Sequence, residues 1–353
     1  MLKTFDEVFD DYTKYGTKIK TEQYHTVGTN IIIDQGQADI AGYTDQIDGL
    51  FKDVPVIVFG DHTRIIKYIN RPFFLGADGT KILKSKIPDA NYKYLYYALK
   101  NAKIPNTGYN RHFKWLKQIS ISYPEHQKQS MIVEILDKLE DSIGNYNTIL
   151  GLLDKLVKAR FIEMFGDGNL PIKTVKELCY CVVDCPHTTP KYEGNLKNPA
   201  IRTSEIKKGF LVWDTMRYVS DKEYVERTTR AIPKAGDIVY GREGTFGNAA
   251  ILPDGYKFCL GQRVMLLRPD YSKCTSEYLL HSVISDEVYR QAIEKNNAST
   301  VAHVNVKDVK QFKVPLPSLD KQNEFANFVK QVDKSRFDIK KSIIELEREV
   351  VYD

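Results

Sequence analysis

The sequence predicts an α+β protein built as a pseudo-twofold tandem repeat: two globular α/β domains separated by two long helices that pair as an antiparallel coiled coil. Three observations carry this reading. Ile132, Leu136, Leu139, Ile143, Tyr146, Leu150, Leu153 and Val157 stand alternately four and three residues apart, which is the a/d seam of a coiled coil. Adding 193 to each number gives Phe325, Val329, Val332, Arg336, Ile339, Ile343, Leu346 and Val350, where only Arg336 breaks the seam. The same offset aligns Pro124 with Pro317, Lys128-Gln129 with Lys321-Gln322, and Lys114 and Lys117-Gln118 with Lys307 and Lys310-Gln311. Similarity that extends beyond the helices marks a duplicated domain-plus-helix unit. The expected segments are a first domain over 1–123, a first helix over 124–166, a second domain over 167–316 and a second helix over 317–353.

A chain of 353 residues, 42% apolar and 27% charged, can bury two cores and is not disordered in composition. It contains no run of 18 apolar residues, and Met1 to Asp11 is acidic and mixed, so we expect a cytoplasmic protein without a membrane span. The net charge of +5 permits nucleic-acid binding without arguing for it. Five cysteines lie in the second half, and Cys179, Cys181 and Cys185 precede His187. Their spacing fits no usual zinc pair, which favours thiols in a reducing compartment.

Within the first domain, Thr4 to Val8 reads as one helical turn and recurs as Thr174 to Leu178. Gln23 to Val27 and Asn30 to Asp34 read as short strands. Val54 to Phe59 is a continuous apolar run, hence a buried strand, and it ends on Gly60-Asp61-His62-Thr63-Arg64. A strand over Arg71 to Leu75 and a tyrosine-rich helix over Tyr92 to Leu99 follow, then a polar, basic stretch from Asn101 to Gln118. Helices of about 41 and 34 residues would span roughly 60 and 50 Å. Gly144, inside the first of them, is expected to mark a bend or a close approach. Phe165-Gly166-Asp167-Gly168-Asn169 stops that helix. In the second domain, the matching strand Asp237 to Tyr240 ends on Gly241 to Gly247, so Gly60 and Gly241 are equivalent. A helix starting near Ser276 and a polar stretch from Lys295 to Asn305 complete the match.

The glycines of Gly241 to Gly247 lack the lysine followed by serine or threonine of a phosphate-binding loop. Glycines at a strand end with Arg242 and Thr245 between them suit a backbone that approaches DNA phosphates. The only asparagine-proline step, Asn198-Pro199, continues as Ala200-Ile201 and not as an adenine methyltransferase motif. Pro253-Asp254 has no spaced acidic-x-lysine partner of a nuclease. No catalytic centre is read from the sequence. His62, His112 and His303 lack carboxylate or cysteine partners at ligand spacing and are read as structural or DNA-contact residues.

These segments resemble the specificity (S) subunits of type I restriction-modification systems. The resemblance rests on Asp184 to Pro190, on Gly236 to Gly247, on Ala159 to Asp167, and on the Pro-x-x-x-x-Gln segment that opens each long helix. The first domain departs from it in carrying Gly60-Asp61-His62-Thr63-Arg64 where the second has Gly-Arg-x-Gly-Thr. The resemblance implies a non-catalytic reader with two target recognition domains, each contacting one half of a bipartite double-stranded DNA site. It implies helices that fix the gap between half-sites and dock two modification (M) subunits, with restriction (R) subunits joining them. It implies no cofactor on this chain, S-adenosylmethionine being used for adenine N6 methylation by the M subunit.

For base reading the expected residues are His62, Thr63 and Arg64 in the first domain and Arg242, Glu243 and Thr245 in the second. Arginine can donate two hydrogen bonds to guanine, and glutamate can accept from cytosine N4. Tyr109, Arg111, Lys114, Asn297, Thr300, His303 and Lys307 are expected nearer the phosphates. Two readings compete with this one: a coiled-coil scaffold whose domains bind other proteins, and a nucleotide-dependent enzyme using Gly241 to Gly247.

Overall fold

A computed structural model describes residues 1–76, 78–166, 168–193, 197–244, 246–295 and 303–352, the side chains of the last three excepted. It divides into two compact units, Met1–Tyr146 with Ser342–Asp353, and Asn147–Lys341. The expected boundaries placed each long helix between domains. Each compact unit takes part of both long helices.

The two units share one topology. In the first, a four-stranded sheet runs in the order Phe9–Asp11, Thr80–Ser85, Val56–Gly60, Ile66–Ile69. A three-stranded sheet orders Gly42–Thr44, Asn30–Ile33, Phe73–Leu75. In the second, the corresponding orders are Cys179–Asp184, Val264–Pro269, Ile238–Gly241, Ala249–Ile251, and Arg217–Val219, Asn198–Ile201, Cys259–Leu260. A two-stranded ribbon joins the start of each domain to the segment before its long helix, Leu2–Thr4 with Ser120–Ser122 and Ile172–Thr174 with Lys313–Pro315. Gln23 to Val27, expected as a strand, is a 3-10 turn at Thr21–Gln23 followed by a single bridge from His25 to Tyr43. The polar pair Glu22 and Gln23 leaves this segment no alternating apolar face to bury.

Alternation builds the cores. Along Val56–Gly60 every residue is buried, with Ile57 and Phe59 facing Phe5, Leu95 and Leu116, and Val56 and Val58 facing Ile31, Phe73 and Ile82. Ile238 and Tyr240 likewise face Val157, Phe165, Tyr278 and Phe325, while Val239 faces Ile201, Leu260 and Leu266. Each such side chain contributes roughly 1.5–3 kcal/mol on leaving water. The one-turn helices Phe5–Val8 and Val175–Leu178 begin with capping boxes. In the second, Glu177 accepts the Thr174 N–H at 2.8 Å, and these hydrogen bonds from Thr174 hold its carboxyl down to about 2.

The long helices are continuous over His126–Phe165 and Leu319–Tyr352. A glutamine sets the start of each. Gln129 Nε2 donates to the Pro124 carbonyl at 2.8 Å, and Gln322 Nε2 donates to the Pro317 carbonyl at 3.0 Å. Gln322 also donates to Lys273 O at 3.0 Å and accepts the Thr275 N–H at 2.9 Å, so it ties its helix to the one starting at Ser276. Every described seam residue is buried or half-buried. Within the second unit the helices run antiparallel, since Arg336 reaches Asp154 at 2.6 Å and Arg160 reaches Glu324 at 2.7 Å. Arg336, which breaks the seam, is also paired with Asp333 at 2.6 Å. At Gly144 an added Cβ would meet nothing within 4 Å among the described residues, so the close approach expected there is absent. The outward face of the first helix keeps Met131, Ile135, Ile149, Leu152, Leu156 and Ile162 exposed.

Tyrosines bridge sheet, helix and seam. Tyr94 donates to Ser122 O at 2.6 Å, and Tyr278 makes the matching bond to Pro315 O. Lys93 and Tyr97 both hold Asp137 of the first long helix at 2.6 Å, and Lys100 holds Glu140 at 2.5 Å. In the second unit Phe161, Phe165, Tyr278, His281 and Phe325 form an aromatic cluster. Burial in this cluster, with the Arg336 charge adding to it, pushes His281 down to about 4.

Gln322→Ala should lower stability to urea by about 1–3 kcal/mol, because it strips the Thr275 N–H and two carbonyls of partners. Gln129→Ala, losing a single such bond, should cost less. Folding holds His281 neutral, so the unfolded chain binds the extra proton between its ordinary value of 6.5 and about 4. Stability should therefore fall as pH drops through that window, by about 1–3 kcal/mol. Urea titrations at pH 7.5 and 4.5 should show a smaller fall in His281→Leu than in the parent.

Candidate nucleic-acid interface

In each domain the central buried strand ends in a glycine whose main chain starts a tip. A Cβ on Gly60 would lie 2.2 Å from Thr63 Oγ1, so the turn needs glycine. The Gly60 N–H donates to Ile65 O at 2.8 Å, and the Gly241 N–H donates to Asn248 O at 2.8 Å. The next residue is clamped the same way in both. Asp61 N–H donates to Gly79 O at 2.7 Å and Asp61 O accepts the His112 N–H at 2.7 Å; Arg242 N–H donates to Arg263 O at 2.9 Å and Arg242 O accepts the Val304 N–H at 3.0 Å. Gly60 and Gly241 thus hold equivalent places, as their sequence positions imply.

At the first tip the side chains divide into holders and presenters. Asp61, buried, accepts the Phe113 N–H on Oδ1 at 2.7 Å and so anchors the turn of helix Phe113–Leu116. His112 is buried with Nδ1 3.0 Å from Asp61 O. Thr63 donates to Gln35 O at 2.6 Å. Arg64 adopts φ 63°, and its Nη1 donates to Ile104 O at 3.2 Å. Thr63 and Arg64, expected to read bases, are engaged with main chain. The His62 ring stacks on Tyr109 with centroids 4.8 Å apart and planes at 10°. Tyr109 is 88% exposed. Arg111, Lys114 and Lys117 are exposed beside it, the two lysines over the rings of Trp115 and Phe113.

The second tip is built from charge pairs. Arg242, expected to reach a guanine edge, is turned inward and 5% exposed. Its Nη2 meets Asp184 Oδ1 at 2.9 Å and its Nη1 donates to Val304 O at 3.4 Å. Asp184, the first residue of the Asp184 to Pro190 motif, also meets His187 Nε2 at 3.2 Å. Glu243, expected to accept from cytosine, has both oxygens occupied: Oε2 by Arg263 Nε at 2.7 Å and Oε1 by His303 Nδ1 at 3.2 Å. Lys307 is exposed on the helix Val306–Gln311, the counterpart of the Lys114 helix. Thr245, Asn297 and Thr300 lie outside the described residues.

Asp61, Asp184, Gln35 and Arg263 were not picked out by sequence reading. The signal for Arg263 was in the repeat, where it matches Gly79, but the offset of the helices does not carry into the diverged loops. All five cysteines are free thiols, and burial pushes Cys259 and Cys274 up to about 12. Among the described residues no three His, Cys, Asp or Glu side chains are grouped to hold a metal ion. Among them, too, no helix is long and apolar enough to cross a membrane.

A duplicated α+β fold that offers two diverged polar tips on one shared pair of long helices defines a class of tandem recognition proteins. The chain belongs to the family of the type I restriction modification DNA specificity domain, whose model matches residues 2–153 and 173–348. It is 23% identical to the Type I restriction enzyme EcoR124I/EcoR124II specificity subunit of Escherichia coli, over 92% of this chain and 84% of that protein. It is also 23% identical to the MjaVIII specificity subunit of Methanocaldococcus jannaschii, over 74% and 69%. The solved S subunit of M. genitalium covers 99% of this chain and 93% of its own at TM-score 0.52 and 17% identity. A chain from a structure of complex assembly in the type I R-M system gives TM-score 0.53 at 12% identity, over 99% and 95%. Specificity subunits recognise DNA sequence and are not catalytic subunits, and this chain is one of them.

Asp61→Ala should cost about 1–3 kcal/mol in urea unfolding by leaving the Phe113 N–H without an acceptor. Asp61→Asn, which retains an acceptor oxygen, should recover most of the loss.

Proposed function

We propose that this chain reads a bipartite double-stranded DNA site, one half with each tip, and directs adenine N6 methylation and restriction by partner subunits. The observation that carries the reading is the matched clamp at both tips: identical main-chain bonds hold loops whose side chains differ, as two readers of different half-sites require. In the first domain Tyr109, Arg111 and Lys114 face solvent and meet DNA, with His62 stacked behind the tyrosine and Thr63 and Arg64 setting the loop. In the second, Lys307 and the segment carrying Thr245, Asn297 and Thr300 meet DNA, with Arg242 and Glu243 as internal struts. The exposed lysines neutralise phosphates and set register, while base edges supply discrimination.

The long helices set the gap between half-sites, because each is continuous and enters both compact units. A 40-residue helix is about 60 Å long, and half-site spacing follows from the distance at which a protein holds its reading elements. Exposed Leu152, Leu156 and Ile149, adjacent on one helix face, form an apolar stripe suited to covering by a partner. We assign that stripe to the M subunits, two of them by the duplication, with R subunits joining. S-adenosylmethionine is used by the M subunit, this chain holds no cofactor, and the assembly acts in the cytoplasm.

Co-expression with the M subunit from the same source, followed by mapping of N6-methyladenine in host DNA, tests the reading. A split motif with a fixed gap, lost when this chain is omitted, is expected. Methylation that is independent of this chain while the complex still assembles would favour the scaffold reading.

A further inference from the structure

Arg263 occupies a backbone position that should belong to glycine. Its φ is 65°, in the left-handed region that residues with a Cβ seldom enter. The matching position in the first domain is Gly79, at φ 87°, whose carbonyl likewise accepts the N–H of the residue after the strand-end glycine. A glycine therefore suffices for this turn, and the arginine brings something the fold does not need. Its side chain is 61% exposed while its neighbour Arg242 is enclosed.

The side chain is also aimed. Its Nε forms an ion pair with Glu243 Oε2 at 2.7 Å, and His303 Nδ1 lies 3.2 Å from the other Glu243 oxygen. The backbone of Glu243 pairs with that of His303, which fixes the main chain from which the carboxylate projects. A guanidinium bound through Nε leaves its Nη edge available, and among the described residues neither Nη has a hydrogen-bond partner. Such a planar, oriented two-donor edge matches guanine O6 and N7 in the major groove. A phosphate can also take both donors, but it offers the same oxygens at every base pair, so only a guanine contact is confined to one position.

We infer that Arg263 reads a guanine in the second half-site, with Glu243 as the positioning residue that fixes its guanidinium. The inference rests on the DNA-reading function above and names the residue and base through which the second domain exercises it. Glu243 then acts through Arg263 and not by accepting from cytosine.

The test uses the full chain assembled with its M subunit and a panel of duplexes carrying each single base-pair change in the parent's own motif. Arg263→Gly suits the left-handed backbone and should fold as well as the parent. It should lose about 10- to 100-fold of discrimination at one G·C pair, with other positions unchanged. Arg263→Lys should lose most of it too, because the charge remains and the fork does not. Glu243→Ala should relax the same position, and adding it to Arg263→Gly should bring no further loss. Uniform weakening across the panel, with a shallower salt dependence, would make Arg263 a phosphate contact and overturn the inference. Unchanged discrimination in Arg263→Gly would overturn it too. A parent complex that shows no base preference anywhere would instead overturn DNA reading itself, and this inference with it.

Discussion

A main-chain hydrogen bond one residue beyond the central strand supports both recognition tips. Asp61 O accepts the His112 N–H and Arg242 O accepts the Val304 N–H, at 2.7 and 3.0 Å. Because donor and acceptor are backbone groups, the clamp is indifferent to the side chains around it. The side chains can then be entirely different, a carboxylate in one domain and a guanidinium in the other, without moving the loop that follows. The two tips can thus differ in side chains while the main chain that holds them stays the same. The surrounding pairs adapt to whichever charge is present: Asp61 uses its carboxylate on the Phe113 N–H, and Arg242 finds Asp184.

The helices use the opposite strategy and keep their side chains. Gln129 and Gln322 fold back on the proline carbonyls before their helices, and each is almost fully buried, so the helix starts are set relative to the domains. The apolar seam then needs only one face of each helix. Arg336 is the exception, and it remains in the seam because Asp154 and Asp333 both meet its guanidinium. The same charge, together with burial, keeps His281 neutral.

The tips differ in how they hold their exposed groups. The first presents an aromatic ring, Tyr109, with another ring stacked behind it and exposed cations nearby in sequence. The second presents a guanidinium ion-paired with Glu243, which lies beside His303. Stacking and ion pairing both restrain orientation without a hydrophobic core around the group.

The sequence by itself determined what depends on period and order: the heptad seam, its return 193 residues later, the buried strand at Val54 to Phe59, and the equivalence of Gly60 with Gly241. Burial imposes those patterns residue by residue, so they can be read along the chain. Tertiary structure decided how each side chain is employed. Arg242 and Arg263 are chemically alike in the sequence, yet one is enclosed by Asp184 and the other exposed, because Asp184 lies on a strand 58 residues away that the fold brings to 2.9 Å. Thr63 and Arg64 were engaged by the main chain at Gln35 and Ile104 for the same reason. Ion pairs and loop hydrogen bonds act through space between distant segments, and no local spacing records them.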